Sequence, residues 1–512
     1  MLAFLLAPFY LLFNLYLFRR IMGWVRAWFP WFRKRKHWAV PAALYAFFAL
    51  SFVLAFPLPA GRLKRALMLI GNYWLGVLLY LLLAVLLADG LRLLLVHGLK
   101  LRSLRSARMH RIAGCLCAAA ILVTSVGGVI NARVVRVTPY EVTVNKSAGS
   151  MESMKVVLLA DLHLGYNVGL AQMERMVARV NEQDADAVVI AGDIFDNAWE
   201  AVEEPEQIAA VLRGIRSRYG VYAVYGNHDI EEPILAGFTF RSDGKKQSSP
   251  EMDAFLTSAN IRLLRDEAVL LGGEVYLYGR PDAQRPGRGI EVRKTPAELV
   301  EGLDAGKPIL VLDHQPRELE ALAAAGVDVD LCGHTHDGQM FPGNLTVRLF
   351  WENACGCLRV GSMHSIVTSG VGLFGPNMRV ATRAEICPIT IRFAGWKKGN
   401  GFANRLPFLF FLRQLVPERE AEDQRTAGEL RRRDRLAEHR HRDDDRHKRI
   451  HVAQQSDLLP RQLAQGGKIQ AVGHACVEEA HDEQADPAAR AERPQRYAAG
   501  RGDVGNENDD GG

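Results

Sequence analysis

Apolar positions in the first 130 residues of this chain run together instead of alternating. Four stretches, residues 2–18, 38–58, 66–88 and 112–130, approach or reach the roughly 20 apolar residues that a helix needs to cross a bilayer. From Lys155 the pattern becomes short apolar runs separated by helical periodicity. Lys155–Ala160 predicts a buried strand, and Leu170, Met173, Met176, Val177 and Val180 share one face of a helix over 170–183. Asp186–Ala191, Val221–Tyr225, Ile309–Leu312 and Val327–Cys332 predict further strands, with a helix near 206–217. Strands alternating with helices place this segment in the α/β class, as a sheet with crossover helices. After about Trp396 apolar periodicity stops.

Three regions follow: a membrane domain over 1–131 with about four spans, a globular domain over 150–395, and a tail over 396–512. The first stretch reads as a retained span, because it lacks a basic leader and a small-residue cleavage site and is followed by Arg19 and Arg20. Basic residues stay on the cytoplasmic side of a membrane. The first loop carries Arg19, Arg20, Arg26 and the run Arg33–Lys36, and the third carries Lys100, Arg102, Arg105, Arg108 and Arg111. The second holds only Arg62, Lys64 and Arg65. Loops one and three are therefore expected inside, so a multi-pass cell-membrane protein with an extracytoplasmic globular domain is expected. Trp24, Trp28, Trp31 and Trp38 suit an interfacial belt or simple packing.

The tail is dense in Arg, Asp, Glu and His over 418–449 and cannot bury enough apolar area to offset chain entropy, so disorder is expected. Its texture also resembles an out-of-frame extension. The basic residues behind the net charge of +6 sit in juxtamembrane blocks and in this tail, which argues against nucleic acid as a partner and for membrane lipids. Seven scattered cysteines make no disulfide framework, and Cys355-Gly-Cys357 lacks the second pair of a zinc knuckle, so an ordinary loop is expected there.

Polar residues follow each predicted strand of the globular region. Asp161-Leu-His163 follows the first, Gly192-Asp193 the second, Gly226-Asn227-His228-Asp229 the third, Asp313-His314 the fourth and Gly333-His334-Thr335-His336 the fifth. Loops at the carboxyl ends of strands converge on one crevice in open α/β sheets, so these residues can meet although distant in sequence. A D-x-H or Gly-Asp alone carries little. Two histidines in a Gly-bounded loop after an apolar strand have little packing rationale, and the five motifs in order have less. His364, inside an apparent strand, reads as a core or edge histidine.

Asp161, His163, Asp193, Asn227, His314, His334 and His336 offer imidazole, carboxylate and carboxamide donors without thiolate, a set suited to Mn, Zn or Fe. Seven donors exceed one four- to six-coordinate centre, which implies two divalent ions with Asp193 able to bridge them. Such a pair binds phosphate oxygens and acidifies a shared water, so attack by a bridging hydroxide on a phosphoester is the expected chemistry. His228, beside Asn227, is expected to stabilise the transition state or protonate the leaving alkoxide. Gly165, Gly192, Gly226 and Gly333 are expected to let the chain turn sharply.

These motifs resemble the calcineurin-like metallophosphoesterase superfamily, in its membrane-associated branch related to UDP-2,3-diacylglucosamine hydrolases and to transmembrane proteins with a metallophosphoesterase domain. The likeness covers roughly 150–395. It implies a four-layer α-β-β-α sandwich, one metal site from Asp161, His163, Asp193 and His336, and a second from Asp193, Asn227, His314 and His334. His228 matches the family's catalytic histidine. Gln339, Ser369-Gly-Val-Gly372, Arg379 and Glu385 also look like this branch, while Asp337 stands where relatives often carry Gly. The expected activity is hydrolysis of a phosphoester or pyrophosphate bond on a phosphorylated small-molecule or lipid substrate. The alternatives are a tethered phosphodiesterase for soluble nucleotides and a non-catalytic membrane sensor or scaffold. Phe238, Phe240, Phe255 and Leu256 either line a lipid groove or simply pack.

Overall fold

The computed structural model describes residues 2–231, 234–235, 238–239, 249–285 and 292–394. The expected disordered tail lies outside the described residues, as does Phe240.

The apolar runs of the N-terminal region form helices α1 (Leu2–Trp28), α2 (Ala39–Ala55), α3 (Arg62–Leu93) and α4 (Ala107–Asn131). Among the described residues three segments are long and apolar enough to cross a membrane: Arg35–Ala55, Arg62–Gly98 and Ala107–Asn131. The expected first span lies within α1. Its polar side chains turn toward neighbouring helices: Tyr45 donates its hydroxyl to Asn14 at 3.1 Å, Arg20 pairs with Asp89, and Tyr16 donates to the same carboxylate at 2.6 Å. Charges in an apolar bundle persist where they are paired in this way.

All five expected strands of the globular region form. Ser153–Leu159, Ala187–Ala191, Val221–Val224 and Ile261–Leu263 are parallel neighbours in a seven-stranded sheet. Ala384–Phe393 runs antiparallel beside Ser153–Leu159 and pairs on its other edge with Val135–Val137 and Tyr140–Val144. The sheet thus begins before residue 150, because the chain leaving α4 supplies two short strands to that edge. A six-stranded sheet holds Val275–Gly279, Ile309–Leu312, Val329–Cys332 and Met363–Val367 in parallel, with antiparallel Glu267–Leu271 and Gly356–Val360 at its rims. Cys357 therefore lies in a strand.

Successive side chains of a strand face opposite ways, and here both ways are buried, which explains the unbroken apolar runs. Val156, Leu158 and Val189 share a core with Leu310, Leu312 and Leu331 of the other sheet. Val157, Leu159, Val188 and Ile190 face a second core with helices Leu170–Asn181, Pro205–Arg213 and Pro250–Ser258. Ile309 and Val311 face a third with Leu319–Ala324. Phe255 and Leu256 belong to the second core, where Phe255 meets Phe195 and Trp199 edge-on, so these two pack and line no groove.

The globular region docks along the Arg62–Tyr80 part of α3 and on the C-terminal end of α4. Asn131 of α4 donates to the carbonyls of Arg379 and Thr382, and the Gly128 carbonyl accepts from the Arg379 amide. On α3, Lys64 and Arg65 pair with Glu200 and Glu203, Asn72 donates to Asn167 at 3.0 Å, and Tyr80 donates to the Phe341 carbonyl at 3.1 Å. Any side chain at Gly76 would meet Met378.

Candidate metal centre

The strand-end loops converge as their order predicted. Two groups of donors each lie within 4.8 Å of one another: Asp161, His163 and His336, and Asp193, His314 and His334. Asp193 lies between them, with its Oδ2 3.7 Å from His163 Nε2 and 3.1 Å from His314 Nε2. Asn227 places its Oδ1 3.0 Å from His314 Nε2. Asp161, His163, Asp193, His314 and His336 are buried, whereas Asn227, His228 and His334 are partly open, so the cluster is reached from that side.

Backbone bonds hold the loops to one another. The Asp161 amide donates to the Gly192 carbonyl, the His163 amide to the Asp193 carbonyl and the Gly333 amide to the His314 carbonyl. Asp161, His163, Asp193, His334 and His336 all adopt positive φ, between 45° and 73°. Side chains rarely sit there, and such strain collects where surrounding structure over-determines it, commonly at functional sites. The expected role of the glycines is corrected accordingly. Gly192 has φ 75°, but Gly165, Gly226 and Gly333 are not among the positive-φ residues. Gly226 and Gly333 are needed for space, since a Cβ would strike Asp193 at the first and Ala160 and Asp161 at the second. The donor residues carry the strain, while Gly226 and Gly333 make room.

His314 gives the clearest indication of a cation. Its Nδ1 lies 2.8 Å from the Ala191 carbonyl, an acceptor only, so Nδ1 bears the proton and Nε2 presents a lone pair. Around Nε2 stand the Asp193 carboxylate at 3.1 Å, the Asn227 amide oxygen at 3.0 Å and His334 Nδ1 at 3.1 Å. Lone pairs gathered this closely repel unless positive charge lies among them. Burial works against the charged form of His314, but Asp193 and Asp161 overcome this and hold its pKa well above the ordinary value, so the field that would favour a cation at Nε2 equally favours a proton in its place. His163 Nε2 and His336 Nε2 lie 3.0 Å apart in the neighbouring group. The donors fit divalent cations, which this family uses.

His228 is held by residues that the sequence reading did not single out. Asn197 donates through Nδ2 to the Ile230 carbonyl at 3.1 Å, which turns its Oδ1 toward His228 Nδ1 in a short hydrogen bond. The His228 ring stands edge-on to Phe374, and its amide donates to Asp193 Oδ1 at 2.8 Å. Burial, against the pull of Asp193, lowers its pKa to about 4. Asp196 Oδ1 lies 3.6 Å from His163 Nδ1 and 3.8 Å from His228 Nδ1, and the three form another close donor group. The polar pair Asp196-Asn197, three residues after Asp193, was the available signal. Asp229 is fully buried and accepts from the Gly226 and Phe195 amides, bracing the loop.

The residues flagged near the C-terminal edge act as struts. Gln339 clamps Phe374 and Pro376 through three hydrogen bonds at 2.9 Å. Arg379, fully buried, donates to the carbonyls of Ser369 and Gly372, and Glu385 accepts from the Ser369 amide. Asp337 has φ 48° and ψ 33°, a left-handed conformation that suits Gly. Its carboxylate faces Arg348 at 3.6 Å and belongs to none of the donor groups. His364 lies buried in a strand, away from the donors, as expected.

Residues 154–338 match the family model described as calcineurin-like phosphoesterase. A "Transmembrane protein with metallophosphoesterase domain" from Danio rerio is 34% identical over 283 residues, covering 53% of this chain and 61% of that protein. Its Bos taurus namesake is 30% identical over 315 residues, covering 58% and 66%. The chain thus spans less than two thirds of either relative. An "Uncharacterized metallophosphoesterase" from Aquifex aeolicus is 30% identical over 263 residues, covering 51% of this chain and 93% of that protein.

Proposed function

This chain belongs to the calcineurin-like metallophosphoesterase family, and we propose that it is a multi-pass membrane enzyme that hydrolyses a phosphoester or pyrophosphate bond at a two-metal centre. The family and the three apolar helices make it a membrane-associated, metal-dependent phosphoesterase. The single observation that carries the two-metal reading is Asp193, whose carboxylate faces His163 of one donor group and His314 of the other. In this reading Asp161, His163 and His336 would hold one ion, His314, His334 and Asn227 would hold the second, and Asp193 would be shared.

Divalent cations supply Lewis acidity toward the phosphoryl oxygens and lower the pKa of water. The chain's own residues do the rest. The strained loops hold the donors in place before substrate arrives, so little reorganisation is needed during reaction. With Nδ1 of His228 donating to Asn197, Nε2 is its titrating nitrogen, through which a proton reaches the leaving oxygen. Phe374 sets the plane of that ring.

The extracytoplasmic placement is supported by the position of the docked domain. It contacts the Arg62 end of α3 and the Asn131 end of α4, opposite the basic loops that follow α1 and α3. A substrate carried by a lipid and a soluble nucleotide are both compatible with the metal centre itself.

The test is hydrolysis of bis(p-nitrophenyl) phosphate by the full chain in detergent, stripped of metal and then resupplied with Mn²⁺. Turnover should vanish on stripping and return on resupply. A folded, metal-loaded protein without activity on this diester or on p-nitrophenyl phosphate would overturn the proposal in favour of a ligand-binding scaffold.

A further inference from the structure

Between the histidine loop and the strand Gly356–Val360 the chain makes two short helical turns, Gly343–Thr346 and Val347–Leu349. Phe341, Leu345, Leu349 and Phe350 turn outward there, at 43%, 58%, 79% and 81% exposure. In a water-facing loop such side chains would normally fold inward or be replaced by polar ones, and a contiguous exposed cluster marks a surface that something apolar covers.

The two ends of this segment identify the cover. At its start, the Phe341 carbonyl accepts from the Tyr80 hydroxyl of α3, and Met340 packs with Tyr80 and Met378 in a cluster joined by Val77, Leu79 and Leu83. Tyr80 lies inside the apolar stretch of α3, about 12 Å further along the helix than Asn72 at 1.5 Å per residue. When α3 spans a membrane, Phe341 sits at the depth of its apolar residues, and the exposed side chains continue the lipid-facing surface of the helix. At its other end, the Trp351 ring lies 4.9 Å from the His334 ring, and Arg317 covers Trp351 at 4.7 Å. One short segment therefore links a membrane helix to a metal-site histidine.

We infer that the segment from Phe341 to Phe350 is inserted in the bilayer, and that the site takes phosphoesters of lipids whose acyl chains remain in the membrane. The reading rests on the phosphoesterase function proposed above. Insertion brings the open side of the metal centre, at His334, to the level of lipid headgroups. A headgroup phosphate then reaches the donors laterally, while its acyl chains stay beside Leu349 and Phe350.

The experiment uses the full chain reconstituted in vesicles of phosphatidylcholine and phosphatidylglycerol. Phe350→Trp adds one fluorophore to the wild-type background. The added emission should be quenched by lipids brominated on the acyl chain and shielded from aqueous acrylamide; quenching by acrylamide without quenching by bromolipid would overturn insertion. The second arm compares bis(p-nitrophenyl) phosphate in solution with a phosphatidyl-p-nitrophenol embedded in the vesicles, since both release nitrophenol. Leu349→Asp combined with Phe350→Asp should lower hydrolysis of the lipid ester relative to the soluble one by about tenfold or more, the scale of lost apolar contact. An unchanged ratio would overturn lipid selection. Wild type that cleaves neither ester while loaded with metal defeats the underlying phosphoesterase reading, whereas the quenching arm still decides insertion by itself.

Discussion

The loops around Asp161 and Gly370 are gripped from two sides by different means. On the strand side, charges, amides and carbonyls point inward on defined vectors: Asp161 accepts from the His334 amide, Asp193 from the His228 amide, and Arg379 donates to the carbonyls of Ser369, Gly370 and Gly372. On the helix side, the grip is close approach and amide pairing: Asn72 on Asn167, Gly76 against Met378, Gly128 beneath Arg379. The strand side determines what chemistry is possible. The helix side adds a second hold on the same loops, so the apolar helices and the donor loops are joined directly.

Substitutions can separate the two grips. Asp193→Asn has the largest expected effect. Changes to groups merely supporting a metal ligand already cost about 10- to 100-fold, so loss of a shared carboxylate should take turnover below detection and lower bound metal by elemental analysis, with circular dichroism unchanged. Full metal content with residual activity would remove Asp193 from the centre. His228→Ala comes next: kcat should fall by about a hundredfold or more while metal content stays at the wild-type level, as expected for a proton-transfer group.

On the helix side, Asn72→Ala removes one buried hydrogen bond and leaves Asn167 with one partner fewer, a loss of about 1 kcal/mol. Thermal unfolding in detergent should shift down by a few degrees and kcat should drop modestly, with KM little changed. A wild-type kcat with lowered stability would show that the grip serves docking alone.

The smallest effect on turnover is expected at Asp330, behind the donor loops and part of neither grip. It is fully buried, accepting from Ser365 at 3.0 Å, and burial raises its carboxyl to about 7. The unfolded value is about 3.9. The folded chain therefore holds this proton more tightly than the unfolded one, and the associated stability is complete below pH 4 and lost as pH rises toward 7. Asp330→Asn removes that loss, so its melting temperature relative to wild type should rise between pH 4 and pH 7. A pH-independent difference would mean that the carboxyl is not protonated in the folded state.

Much of this was legible because it depends on short-range pattern. Two-sided burial makes a strand a continuous apolar run, so the central strands stood out, and the motifs that follow them named the donors His163, His314 and His336. The edge strands Tyr140–Val144 and Gly356–Val360 did not stand out, since exposed positions interrupt their apolar character. Asn197 was missed because the Asp196-Asn197 pair is only a weak signal by itself, and its role shows once the His228 ring it orients is beside it. Phe341, Leu349 and Phe350 read locally as ordinary apolar residues, and nothing in their spacing says that they face outward.

By itself the sequence determined the apolar helices, the class of the globular domain and the chemical type of its donors, because periodicity and residue chemistry are properties of neighbours along the chain. Only the tertiary structure decided which histidine nitrogen faces inward, that the donor residues themselves adopt positive φ, and that α3 grips the loop after Asp161. Those facts depend on distances between residues that no local pattern couples, such as Asn72 to Asn167 and Tyr80 to Phe341.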